Sequence, residues 1–287
     1  MESTFLQLMN NRFIEAIGLR RAVRTYSGKP IAVETKEGIR HILGELSGPF
    51  EGKVRCGLID KKDAAAKDGV KLGTYGVILG ASLFIAGAAG PGSQAMEQLG
   101  YVFEQAVLYL TSQGLGTCWL AGTFRRSAFA AAMYLRQDEM LPVISPVGYP
   151  SRIRGPVDML FKPSLARRRL PWQRLFFDGD FGTPLDGTTA GSFAVPLEMV
   201  RLAPSASNKQ PWRVLRRNRS FLFFLDGNRA YRRMYEFDIQ KIDMGIALLH
   251  FEAAARELGL PGHWENPSAQ HTAPSKTWEH IMTWVAE

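Results

Sequence analysis

Laid against itself at a shift of 145 residues, the chain repeats a helix and the way that helix ends. Leu99-Gly100-Tyr101 through Gly114-Leu115-Gly116-Thr117-Cys118-Trp119 falls on Met244-Gly245-Ile246 through Gly259-Leu260-Pro261-Gly262-His263-Trp264. Gly100/Gly245, Gly114/Gly259, Leu115/Leu260 and Trp119/Trp264 are identical. Both stretches carry small and apolar residues along one face and stop at a glycine, the residue best able to close a helix in the left-handed conformation. A repeated unit of this kind constrains the fold strongly, because each copy has the same apolar face to bury. With 287 residues there is room for two such units, each with its own core.

Other pieces follow the same plan. Ser27-Gly28-Lys29-Pro30-Ile31 is similar to Phe181-Gly182-Thr183-Pro184-Leu185, each an extended lead-in to a helix. Leu46 to Gly52 occupies the position of Ala203 to Asn208. Val54 to Ile59 is a strand matching the hairpin Trp212–Leu215 and Ser220–Leu225. The expected organisation is two mutually packed α+β halves dividing near Pro163 to Trp172, residues 1–168 and 169–287. Leu141 to Pro146 reads as a strand followed by a turn at Gly148-Tyr149-Pro150, and Trp278 to Val285 as a short final helix.

Between Lys71 and Glu97 there is no charge, which by length alone suggests a membrane span. Gly73, Gly76, Gly80, Gly87, Gly90 and Gly92 punctuate the run, so Ser82 to Ala86 reads instead as a strand buried on both faces. No secretory signal opens the chain, and Cys56 and Cys118 show no metal or disulfide spacing. The expectation is a soluble cytoplasmic protein with Cys118 buried and with no membrane partner. A net charge of +8 permits nucleic acid, but the cations fall in short clusters without a long basic tail, which suits a small anionic ligand better. His41, His250, His263, His271 and His280 have no metal spacing, so no metal site is expected.

Four clusters carry chemistry. If Phe13 to Arg24 is helical, Arg20 and Arg24 share a face and could grip a phosphate together with Arg21; the alternative is a solvated basic helix end. In Pro204-Ser205-Ala206-Ser207-Asn208, proline fixes the backbone while Ser and Asn bond neighbouring amides; the alternative is an ordinary turn before a strand. In Trp119-Leu120-Ala121-Gly122-Thr123, glycine permits close backbone approach; the alternative is a plain connection. Arg167-Arg168-Arg169 is either a second cationic grip or a basic linker.

The segments Arg20-Arg21-Ala22-Val23-Arg24-Thr25-Tyr26 and Ala203 to Trp212 resemble the two signatures of the nitroreductase family of FMN-dependent oxidoreductases. The family's flavin site is shared between two subunits, one motif from each. The resemblance therefore implies a nitroreductase-like α+β fold with two mixed or antiparallel sheets flanked by helices, whose pseudo-two-fold internal duplication mimics a homodimer and leaves the chain a monomer. It implies that Arg20, Arg21, Ala22, Arg24, Arg167 and Arg169 lie at the FMN phosphate, Pro204, Ser205, Ala206 and Asn208 along the flavin, and Leu120, Ala121 and Gly122 at its N5. Ala22 stands where the family has Ser, a loss of ~1 kcal/mol of affinity for one neutral hydrogen bond. The second half has Asp178 and Asp180 where another Arg motif belongs, and Leu46 to Gly52 lacks Ser-x-x-Asn, so one FMN per chain is expected.

The implied function is hydride transfer from NAD(P)H through FMN to a small electron-poor acceptor, a nitroaromatic or quinone, with no acid or base side chain required. The alternatives are a flavin-binding or regulatory protein without turnover, and a basic nucleic-acid-associated protein.

Overall fold

The repeated helix forms twice, and both copies end with the same hydrogen bonds. After Ala95–Ser112, Gly114 takes φ +71°, its N–H donates to Thr111 O at 2.9 Å, and Leu115 N–H reaches back to Leu110 O at 2.9 Å. After Ile239–Glu257, Gly259 takes φ +65°, its N–H donates to Arg256 O at 3.0 Å, and Leu260 N–H reaches Ala255 O at 2.9 Å. Each donor and acceptor is displaced by 145 residues. A left-handed glycine lets the chain turn back and satisfy carbonyls that the helix leaves open.

This computed structural model describes residues 9, 12–153, 155, 168–267, 275 and 277–287. The chain divides into two compact units, Met1–Asn10 with Gly18–Arg167 and Asn11–Ile17 with Arg168–Glu287. Helix α1 (Phe13–Leu19) runs across that division, and its first amides, of Phe13 and Ile14, donate to the Glu257 carboxylate at 2.7 and 3.0 Å. A carboxylate there caps open amides and answers the positive helix end.

The first unit continues with α2 (Val33–Glu45), β1 (Val54–Asp60), α3 (Lys61–Asp68), β2 (Leu83–Ala89), α4 (Ala95–Ser112), β3 (Gly116–Thr117), α5 (Arg126–Ala132) and β4 (Met140–Gly148). Its sheet runs β1-β2-β4-β3, antiparallel throughout. The uncharged run supplies β2, buried along its whole length at the centre of the sheet. A side chain on Gly87 would strike Leu99 and Phe103, so glycine there admits α4 close against β2. Phe84, Phe124, Phe129, Met133, Leu141 and Ile144 belong to a second apolar cluster that also takes in Cys118.

The second unit holds β5 (Phe176–Asp178), β6 (Asp180–Pro184), α6 (Ala194–Leu202), β7 (Trp212–Arg217), β8 (Ser220–Asp226), α7 (Arg229–Arg232), α8 (Ile239–Glu257), β9 (Gly262–Glu265) and β10 (Trp278–Ala286). Its mixed sheet runs β6-β5-β7-β8-β10-β9, with β5 parallel to β7 and every other pair antiparallel. Phe251 on α8 meets the rings of Phe193, Phe221, Phe223, Trp264 and Trp284, while Phe224, next along β8, joins Phe177, Phe181 and Trp278. Successive strand residues face opposite ways, which is how one strand feeds both clusters. Without β5 and β6 the order β7-β8-β10-β9 matches β1-β2-β4-β3, each sheet with one helix before its first strand and a long helix between its second and third.

Three local expectations are corrected. Helix α1 stops at Leu19, and Arg20 to Tyr26 is extended, bridged by Ala22 to Thr117 and by Thr25 to Leu79. Trp278 to Val285 is a strand, because its aromatic and β-branched residues complete a ladder with β8 and β9. Tyr149 and Pro150 are no turn: Ser27 N–H donates to Tyr149 O at 2.9 Å and Tyr26 bridges Pro150. Among the described residues no helix is long and apolar enough to cross a membrane.

Candidate functional site

In the first unit the cationic segment is an edge laid on the sheet. Val23 N–H donates to Thr117 O at 2.8 Å, and the buried Val23 side chain fills the space that Gly116 leaves open. Leu79 N–H donates to Arg24 O at 2.8 Å, and Tyr26, buried, sends its hydroxyl to Val23 O at 2.8 Å. The helical spacing expected of Arg20 and Arg24 is therefore replaced by alternation along extended chain, where residues two and four apart share a side. Arg21 and Ala22 are exposed, Arg20 and Arg24 half-buried.

Arg20 lies beside a carboxylate. Its Nε is 3.8 Å from Oε1 of the fully buried Glu104, whose Oε2 accepts the Trp119 indole N–H at 2.7 Å. That Nε is itself buried and makes no hydrogen bond. A guanidinium carries five donors, so one edge can face Glu104 while the other serves an anion. The second unit builds a comparable group: Glu252 on α8 accepts the Trp264 indole N–H at 2.6 Å and pairs with Arg256 at 2.7 Å.

Leu120, Ala121 and Gly122 leave β3 close by. Leu120 and Ile144 exchange backbone bonds at 2.9 and 3.0 Å, and the Ala121 carbonyl accepts from Arg126 Nη2 at 2.7 Å. Arg126 also donates to Leu141 O. In a trans peptide the carbonyl and the following N–H point oppositely, so this grip turns the Gly122 N–H away from Arg126. Thr117, bridged to Ala22, is only three residues before Leu120, so the β3 edge brings the two expected groups of the first unit together.

In the second unit the Pro204 segment is tied inward. Ser205 is extended, Ser207 and Asn208 are left-handed at φ 48° and 56°, and Gln210 at 51°. Such residues cost ~1 kcal/mol each without a glycine, so other bonds must hold them. Ser205 Oγ accepts the Gln210 N–H at 2.9 Å and Ser205 O the Asn208 N–H at 2.9 Å. Asn208 donates from Nδ2 to Arg168 O at 2.7 Å and accepts Arg169 Nη1 at 3.0 Å. Arg169 Nη2 donates to Leu202 O at 2.9 Å. Arg169, expected at a phosphate, thus commits one Nη to this segment and the other to the end of α6. Arg167 lies outside the described residues.

Two participants went unnoticed in the sequence. Gln210 accepts the Leu170 N–H at 2.8 Å and donates to Asn208 O at 3.1 Å, and its place inside the unbroken string from Ala203 to Trp212 was the available signal. Asp243 accepts the Ala206 N–H at 2.9 Å. Its signal was an acid between the apolar residues Ile242 and Met244 on a buried helix. Asp178, read as repelling an anion, is gripped by Arg216 at 2.8 and 2.7 Å, which lowers its carboxyl through that hydrogen bond and screens it. Among the described residues no group of three or more His, Cys, Asp or Glu could hold a metal.

The family described as "Putative TM nitroreductase" matches residues 12–255. The chain is similar in fold to the crystal structure of a "putative nitroreductase" from Thermotoga maritima, at 22% identity and TM-score 0.57, covering 95% of this chain and 93% of that one. An FMN-dependent nitroreductase from Clostridium difficile matches at 15% identity and TM-score 0.39, covering 49% of this chain and 89% of that one. A structure titled as an oxidoreductase containing FMN matches at 14% identity and TM-score 0.44, covering 58% and 92%. No curated protein matches significantly.

Proposed function

We propose that this chain, which belongs to the nitroreductase family by its match over residues 12–255, is an FMN-dependent oxidoreductase. It would pass reducing equivalents from NAD(P)H to an electron-poor small molecule such as a nitroaromatic or quinone. The observation that carries the reading is the cationic edge Arg20–Arg24, fixed on β3 through the Ala22 and Val23 backbone with Arg21 exposed beside it. A doubly charged phosphate monoester is the ligand such an edge fits best.

The donor set suits FMN. In the first unit Arg20, Arg21 and Arg24 would hold the phosphate, Ala22 would leave room beside it, and Gly122 would offer its backbone N–H. In the second unit, taken by itself, Pro204, Ser205, Ala206 and Asn208 form a rigid, mostly neutral surface of the kind a flat ring lies against. Bound FMN supplies the two-electron chemistry. The chain's own residues hold it, fix its orientation and place a donor where negative charge would gather on reduction. The matching element order of the two units supports reading the chain as an internal duplication. We infer one FMN per chain, because Asp178 and Asp180 stand where a second Arg motif would and Leu46–Gly52 has no Ser-x-x-Asn.

Purified protein should be yellow with one FMN per chain, bleach anaerobically with NADH or NADPH, and recover colour when a quinone or nitroaromatic is added. Arg20→Ala with Arg24→Ala should weaken FMN binding by about 100-fold, the scale of two charge-assisted contacts, while Asp178→Ala with Asp180→Ala leaves it unchanged. Two FMN per chain, or colourless protein indifferent to added FMN, would sink the reading. Binding without bleaching by either nucleotide would mark a flavin-binding protein without turnover.

A further inference from the structure

Asp243 is a buried acid with half its carboxyl unused. It sits near the start of α8, 3% exposed, and its Oδ1 accepts the Ala206 N–H at 2.9 Å. Its Oδ2 is buried and has no hydrogen-bond partner. Burial pushes this carboxyl well above the ordinary carboxylate range; the bond from Ala206 pulls the other way, and the charge of Asp238 adds to the rise. A carboxyl so placed holds its proton more readily than an ordinary one, and its Oδ1 remains the acceptor for the Ala206 amide.

The first unit makes the equivalent connection with an amide. Gln98, at the same position 145 residues earlier, accepts the Phe50 N–H on Oε1 at 3.1 Å and donates from Nε2 to Gly48 O at 3.3 Å. Each long helix thus reaches a loop, between α2 and β1 in the first unit and between α6 and β7 in the second, and holds a backbone amide there by a side-chain oxygen. The two loops differ. No residue from Leu46 to Gly52 has a positive φ, whereas Ser207, Asn208 and Gln210 all do. The acid therefore stands under the loop that needs holding most, and the bonded amide belongs to Ala206, immediately before the left-handed pair.

We propose that Asp243 is the positioning residue of the 204–210 turn, holding the Ala206 amide so that Ser207 and Asn208 stay left-handed and the segment keeps the shape that receives the cofactor. The reception of the cofactor rests on the FMN reading above; the hold on the turn rests on the hydrogen bond alone. Asparagine keeps the side-chain oxygen that accepts from the Ala206 amide, so Asp243→Asn is the conservative variant. Alanine removes the acceptor and leaves the amide open.

The test compares wild type, Asp243→Asn and Asp243→Ala by amide hydrogen exchange of cofactor-free protein and by FMN titration. Losing one backbone bond should speed exchange across residues 205–210 by about tenfold in Asp243→Ala, with residues 95–112 unchanged. FMN should bind that variant about tenfold more weakly, and Asp243→Asn should follow wild type within about twofold in both measurements. If Asp243→Ala does not fold, Asp243→Ser, too short to reach the amide, takes its place. Exchange in the alanine variant equal to wild type overturns the proposal, as does an asparagine variant as impaired as alanine. Wild-type protein that takes up no FMN sinks the flavin reading instead, and the exchange measurement still decides the role of Asp243.

Discussion

Replacing Arg169 by methionine separates two roles that the structure and the motif assign to it. As a staple, its guanidinium joins Asn208 Oδ1 at 3.0 Å to Leu202 O at 2.9 Å, tying the start of the second unit to the turn and to the last carbonyls of α6. A cation at a helix C-terminus also answers the helix dipole. Because Arg169 is only half-buried, water recovers part of each lost bond, so about 1 kcal/mol per bond and about 2 kcal/mol in all is the appropriate scale. In a chain of this size that lowers the melting temperature by about 5 °C. The assay is thermal unfolding of cofactor-free protein by circular dichroism, with Arg21→Met, an exposed site, as the control that should not move. Arg169→Lys should lose about half as much, since an ammonium cannot reproduce the fork that reaches two acceptors. If Arg169→Met leaves the cofactor-free melting temperature unchanged but weakens FMN far more than riboflavin, the staple is wrong and Arg169 is a phosphate ligand.

Two further outcomes test the fold. The Glu139 carboxyl, gripped by Arg55 at 2.7 Å through both Nε and Nη2 and by the Arg136 N–H at 2.9 Å, is held down to about 2. A lowered folded-state value stabilises above the unfolded value and is lost as pH falls from about 4.5 toward about 2. Glu139→Gln should therefore cost roughly 1–3 kcal/mol in urea unfolding at pH 7 and progressively less toward pH 3; a gap constant with pH refutes this. Gly114→Ala and Gly259→Ala should each cost about 1 kcal/mol, because an added Cβ meets nothing within 4 Å and only the left-handed backbone is penalised. Clearly unequal losses in thermal unfolding would show that the two helix ends are not equivalent.

The legible features were those written in local chemistry. The helices before Gly114 and Gly259 could be read because a glycine stop and an apolar face are properties of a short window. The central strand β2 was legible because an uncharged, glycine-punctuated run fits a fully buried strand better than any other element. The end of α1 at Leu19 was not, since Arg20 to Tyr26 contains no breaker until Gly28. Its extended form comes from bonds to Thr117 and Leu79, far away in sequence. Strand β10 failed for the same reason: Trp278 to Val285 is set by its partners β8 and β9 rather than by its own period.

The same distinction divides the candidate site. The motif string from Ala203 to Trp212 identified a special turn, and the expectation that its Ser and Asn side chains bond neighbouring backbone groups holds in the structure. Ser205 Oγ receives the Gln210 amide, and the Asn208 side chain is bonded at both its oxygen and its nitrogen. Three left-handed non-glycine residues explain why so many side chains are committed there. A turn that costs several kcal/mol in backbone strain persists only if neighbouring groups over-determine it, and here Arg169 and Asp243 do so from outside the turn while Gln210 closes it from within. Local reading recognises the strained residues; the residues that sustain the strain are recognised only through contacts at long range. The motif's unusual composition is thus better understood as the cost of a preorganised surface than as a row of ligand-binding side chains.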